Sequence, residues 1–134
     1  MSGECDLKVL LQSMTPELLP GVFVFCTLPE GQEIPPGLKP VSVFREREGT
    51  SILVPREEAE RAQIPFQFAA RQITLTVHSS LNAVGFMAAI TTCLAQESIS
   101  VNPVSAFYHD HLFVPEDRAD DAMRLLRGLS KLEC

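Results

Sequence analysis

Two segments of this 134-residue chain repeat each other. Setting Ile52–Ala62 (ILVPREEAERA) over Leu112–Ala122 (LFVPEDRADDA) pairs Val54 with Val114, Pro55 with Pro115, Ala59 with Ala119 and Ala62 with Ala122, each pair 60 positions apart. Upstream, VSVF at 41–44 resembles VSAF at 104–107 at a spacing of 63, which predicts a second hairpin three residues shorter than the first. A chain that twice follows a hairpin with Val-Pro and an acidic segment builds one supersecondary unit twice. Each proline opens a helix, because its missing N–H would be an orphan there anyway. The acids behind it, Glu57 and Glu58 or Glu116 and Asp117, suit the positive end of the helix dipole.

Taken in order, Leu7–Gln12 (LKVLLQ) reads as a short strand, and Ser13–Gly21, with Pro16 and Pro20, as a turn. Gly21–Leu28 (GVFVFCTL) is rich in β-branched and aromatic residues and reads as a strand, followed by a proline-rich loop to Pro40. Val41–Pro55 reads as a hairpin turning at Glu48 and Gly49, Pro55–Ala62 as a short helix and Phe66–Val77 as a long strand. Ile99–Phe107 is a strand that Pro103 confines to an edge or a bulge. Tyr108–His111 turns the chain into Leu112–Val114. The helix after Pro115 carries Ala119, Ala122, Met123, Leu126 and Leu129 at helical spacing and is expected to end at Gly128.

Each half therefore reads strand, crossover, strand, strand, helix, which is most of a ferredoxin-like βαββαβ unit. The expected class is α+β: two such units in tandem, with antiparallel sheets and helices on one face. Phe66–Val77 ends the first unit and begins the second, which lacks a last strand of its own. That leaves a sheet edge to be covered, either by Leu7–Gln12 folding back or by a second chain, and a homodimer is the expected answer.

The stretch richest in local information is Ile73–Gly85, ITLTVHSSLNAVG. Ile73, Leu75 and Val77 alternate with Thr74, Thr76 and His78, the period of a half-buried strand. Ser79 and Ser80 break the alternation, Asn82 is a competent N-cap, and Gly85 permits close approach to the first helical turn. Beyond it, Ala83, Phe86, Met87, Ile90, Cys93 and Leu94 share the core face of a helix, with Gly85, Ala89, Thr92 and Gln96 opposite. A strand delivered into a helix N-terminus is a place where a carboxylate or phosphate can sit.

ITLTVHSSLNAVGFMAAI, ISVNPVSAFYHDHLFVP and EDRADDAMRLL together resemble the ACT domains, in particular short bacterial proteins made of two ACT-like units. The resemblance covers Ile73–Leu129 well and the N-terminal half more weakly. It implies units at 1–67, lacking the first crossover helix, and 68–134, sharing the strand near 68–78. It also implies a regulatory, non-catalytic protein that binds a small molecule, commonly an amino acid, at paired units. The loop carrying that role would be Ser79, Ser80, Leu81, Asn82, Ala83, Val84 and Gly85. The competing reading is a ligand-free interaction module that pairs with a separate enzyme or transporter.

Other chemistries draw less support. A formal charge of -6 opposes a phosphate backbone, so no nucleic-acid partner is expected. No apolar run reaches membrane-span length and MSGECDLK lacks the pattern of a signal peptide, so the expected location is cytoplasmic, with no membrane partner. Cys5, Cys26, Cys93 and Cys134 form no C-x-x-C pair and read as reduced structural thiols; no cofactor is expected. His109 and His111 with Asp110 supply three potential metal ligands, but a polar turn with Asp110 bonding local N–H groups is preferred, and no metal is expected. Cys93 or Ser79 with His78 makes a poor nucleophile and base, since Cys93 is on the apolar helix face and adjacent strand residues point oppositely. No catalytic residue is expected.

Overall fold

The structure, a computed structural model, describes residues 3–131; Cys134 lies outside them. In chain order the elements are α1 (Leu7–Ser13), β1 (Pro16–Leu18), β2 (Phe23–Pro29), β3 (Ser42–Arg45), β4 (Gly49–Pro55), α2 (Arg56–Arg61) and β5 (Gln67–Leu75). They continue with α3 (Phe86–Ala95), β6 (Asn102–Ser105), β7 (Asp110–Pro115), a 3-10 turn at Glu116–Arg118 and α4 (Ala119–Lys131). Among the described residues no helix is long and apolar enough to cross a membrane. The chain divides into two compact units, Gly21–Ala70 and Met1–Pro20 with Arg71–Cys134.

In the unit Gly21–Ala70 the strand order is β3-β4-β2-β5. Val24, Cys26, Leu28, Ile52, Val54 and Ala59 form its core. Residues 30–41 contain no helix, as expected, and the loop does a helix's packing work: Leu38 is buried in that core and Ile34 packs against it. A bond of 2.7 Å from the Lys39 amide to a Glu58 carboxylate oxygen ties the loop to α2.

In the other unit the order is β1-β5-β7-β6, with α1, α3 and α4 packed on one another. Leu10, Leu11, Met14, Ile73, Leu75, Phe86, Ile90, Leu94, Leu112, Val114 and Leu126 belong to one buried cluster. Here the expectations for the N-terminal segment are corrected. Leu7–Gln12 is helical: Asp6 caps it by accepting from the Val9 amide at 3.1 Å, and Leu10, Leu11 and Met14 reach the core at helical spacing. The supposed turn contains the strand that the second unit lacked, since β1 runs antiparallel to β5 with Pro16 opposite Leu75 and Leu18 opposite Ile73. Proline is tolerated there because it is the strand's first residue.

The repeat is closer in structure than in sequence. Ser42 pairs with Leu53 and Arg45 with Thr50, while Asn102 pairs with Phe113 and Ser105 with Asp110, so every partner is displaced by the same 60 positions. The turn bond from the Glu46 amide to the Gly49 carbonyl recurs from Ala106 to His109. The second hairpin is therefore not shortened, and the likeness of VSVF to VSAF is an out-of-register coincidence between short apolar runs. Pro55 and Pro115 precede their helices with nearly the same backbone, φ -55 and ψ 137 against φ -53 and ψ 139. Gly128 does not end α4, which continues to Lys131.

Candidate functional site

β5 ends at Leu75, and residues 76–85 connect it to α3. Local bonds shape this connection: the Ser79 amide donates to the Val77 carbonyl at 3.0 Å and the Ala83 amide to the Ser80 carbonyl at 3.0 Å. The N-terminal residues then brace it. The Glu4 amide donates to the His78 carbonyl and the Ser80 amide to the Glu4 carbonyl, both at 2.8 Å. Gly3 lies so close that a Cβ there would come within 2.8 Å of the Ser80 nitrogen, so this approach requires glycine.

Asn82 does not cap the helix. Its own amide donates to the Ser80 hydroxyl at 3.0 Å, and α3 begins later, after Gly85, with no side-chain cap. Gly85 has φ 91, a left-handed conformation that strains any residue with a Cβ, and this decides where the helix starts. Phe86, Ile90 and Leu94 are buried as expected, whereas Ala89, assigned to the opposite face, packs partly against the core.

Two small cavities adjoin this loop. One, of about 170 Å³, is lined by Gly3, His78, Ser79, Ser80, Leu81, Asn82 and Phe107. The other, of about 80 Å³, is lined by Ser79, Ser80, Leu81, Ala83, Phe86, Met87, Ser105 and Asp110. Of the seven expected site residues, Val84 and Gly85 line neither; Val84 is 83% exposed. His78 and Phe107 of the larger cavity's lining both pack on Tyr108, with ring centroids 5.0 Å apart for Phe107 and Tyr108 and 5.4 Å for His78 and Tyr108. Larger cavities of about 410 and 400 Å³ lie in the unit Gly21–Ala70, but neither is lined by a buried charged side chain.

The preferred reading of the Tyr108–His111 segment also needs correction. Asp110 bonds no local amide; it is buried at the start of β7 and accepts the Ser79 hydroxyl at 2.8 Å. That bond occupies Ser79, which is not paired with His78. His109 approaches the Val77 carbonyl at 3.3 Å, and His111 the Thr74 hydroxyl at 3.0 Å and the Gln72 amide nitrogen at 3.4 Å. Burial, and then the neighbouring His109, push the His111 pKa below its ordinary 6.5, against a smaller opposing effect of Asp110.

A histidine depressed in the folded state binds protons more readily when unfolded, so its contribution is complete above the unfolded value and is lost as pH falls through it. Urea midpoints should therefore drop on acidification below about pH 6.5, and His111→Gln should flatten that slope. An unchanged slope in the variant would assign the acid sensitivity elsewhere. Cys26 is buried and Cys93 half-buried, with pKa values raised, by burial in the first and by burial and then Glu97 in the second, whereas Cys5 is exposed and does not fit the structural reading.

Two family models, each described as ACT domain, match residues 2–71 and 67–128. The chain belongs to the ACT domain family. Among solved structures it is similar to a protein of unknown function from Vibrio cholerae described as a possible transport protein. That match has 41% identity, covers 93% of this chain and 96% of the other, and has a TM-score of 0.85. A protein from Agrobacterium tumefaciens shares the fold at 18% identity, with a TM-score of 0.75 over 87% of this chain and 89% of that one. So does the regulatory subunit of aspartate kinase from Thermus thermophilus in a ligand-free form, at 10% identity and a TM-score of 0.64, covering 87% and 97%. No curated protein matches the chain.

In this ACT protein the strand-to-helix loop was legible from Ser79 to Gly85, while the residues that hold it were not. Asp110 was discoverable in principle. It shares strand parity with Leu112 and Val114, and an acid on a core-facing parity is a signal in itself. The bracing by Gly3 and Glu4 left no local trace, because it joins residues about 75 positions apart.

Proposed function

We propose that this ACT protein is a non-catalytic regulator that senses a small amino acid at the Ser79–Gly85 loop and works as a homodimer. The observation that carries this reading is the uncapped first turn of α3, where Phe86 and Met87 line a cavity of about 80 Å³ adjoining a second of about 170 Å³. The first amides of a helix have no intrahelical partner and favour an anionic group such as a carboxylate. The space is below the roughly 300–1,000 Å³ of sites for drug-sized ligands, which suits a ligand of amino-acid size. The Thermus thermophilus relative is an aspartate kinase regulatory subunit, and this chain is read by the same analogy as acting on a separate protein.

Screening the twenty amino acids by thermal shift should raise the melting temperature for one or a few. A ligand at 100 times its dissociation constant stabilises the folded state by about 2.7 kcal/mol. Gly85→Leu should abolish the response. A Cβ there would meet only Leu7, at 3.5 Å, so the effect comes through backbone strain of about 1–3 kcal/mol at φ 91, which displaces the loop. Light scattering on the same samples should give the dimer mass. A flat screen at millimolar ligand, with capture of a protein partner, would instead favour the ligand-free interaction module. Wild-type affinity in Gly85→Leu would remove the loop from the site.

A further inference from the structure

We infer that Asp110 receives the ammonium group of the ligand, so that the site distinguishes an amino acid from the corresponding deaminated acid. The inference rests on the amino-acid reading above and assigns one pole of it to a residue. Asp110 is 7% exposed, the most buried acidic side chain among the described residues. It sits there because strand alternation places it on the parity of Leu112 and Val114, both fully buried. Its carboxylate accepts one hydrogen bond, from the neutral Ser79 hydroxyl, and no lysine or arginine among the described residues pairs with it. A buried carboxylate is costly unless a cation or several donors meet it.

A second partner, beside Ser79, has a place to stand. Asp110 lines the 80 Å³ cavity together with Ser105, Phe86 and Met87, so a carboxylate and the uncapped start of α3 face the same small space. A zwitterion answers both, with its ammonium at Asp110 and its carboxylate at the helix amides. Ser79, Ser80 and Leu81 line both cavities, which leaves the larger one for the ligand's side chain. The corresponding position of the first repeat, 60 residues earlier, is Thr50, opposite Arg45 as Asp110 is opposite Ser105. Only the second hairpin carries the acid.

The test compares wild type with Asp110→Asn by calorimetry, using the amino acid that gives the largest thermal shift, its hydroxy-acid counterpart and methylammonium. The variant should bind the amino acid on the order of 10- to 100-fold more weakly, as expected for losing a charge-assisted bond. The hydroxy acid should bind wild type poorly, and the ligand-free variant should melt close to wild type, since the amide oxygen still accepts the Ser79 hydroxyl. Binding by the variant within about twofold of wild type would overturn the role of Asp110 and leave the amino-acid reading standing. A variant that melts well below wild type without ligand would overturn it too, by making Asp110 structural. If no amino acid binds wild type, the functional reading fails by itself, and methylammonium decides the rest. Asp110-dependent binding of that probe keeps the cation site, and its absence removes it.

Discussion

A chain lacking residues 1–20 will lose the cooperative folding of the unit that contains Arg71–Cys134. The deleted segment supplies α1 and β1, and with them Leu10, Leu11 and Met14, each 2% exposed or less. Burying such side chains contributes about 1.5–3 kcal/mol apiece, so their loss approaches the roughly 5–15 kcal/mol that a whole domain has to spare. The deletion also leaves the Ile73–Leu75 edge of β5 unpaired, a template for aggregation. Circular dichroism melts and amide exchange would show it: the full chain should melt cooperatively, and the truncated chain should lose protection at β5 and in α3. A truncated protein that melts within a few degrees of the full chain would mean that the segment is dispensable packing.

Gly49→Ala will be the most damaging single methyl in the other unit. Gly49 opens β4 with φ 158, and a Cβ there collides with the Leu28 carbonyl oxygen of the paired strand β2. The carbonyl is backbone held in a ladder, so the strands must separate, at a cost of about 2–4 kcal/mol. Gly37→Ala is the control, because a Cβ at Gly37 meets nothing within 4 Å. Chemical denaturation should place Gly49→Ala far below wild type and Gly37→Ala beside it. Equal midpoints for the two would show that the hairpin yields without resistance.

Where the reading of the sequence succeeded, the information was local. Val-Pro with two acids close behind marks a helix start within five positions, and both copies adopt nearly the same backbone, although Pro55 and Pro115 are the extended residues before the helix and not its first residues. β-Branched and aromatic content marked β2, the hairpin turn marked β4, alternation marked β5, and Pro103 marked β6, which lies at the end of the strand order. Where it failed, two local preferences were close. LKVLLQS has apolar residues enough for strand or helix; Asp6 as a cap and the core waiting for Leu10, Leu11 and Met14 made it α1. Asn82 read as the helix start, with Gly85 in the first turn, and the positive φ that glycine adopts at 85 moved the start to Phe86.

The repeat, the α+β class and the position of the strand-to-helix loop were thus determined by the sequence alone, because periodicity, proline and glycine act over a few residues. Tertiary structure decided the rest. It took β1 from the far end of the chain to complete the sheet beside β5, set both hairpins at a common displacement of 60, and brought Asp110 to Ser79 and Glu4 to His78. Those pairings depend on which surfaces can be buried together and which polar groups remain to be satisfied once they are, and neither quantity exists until the chain has folded.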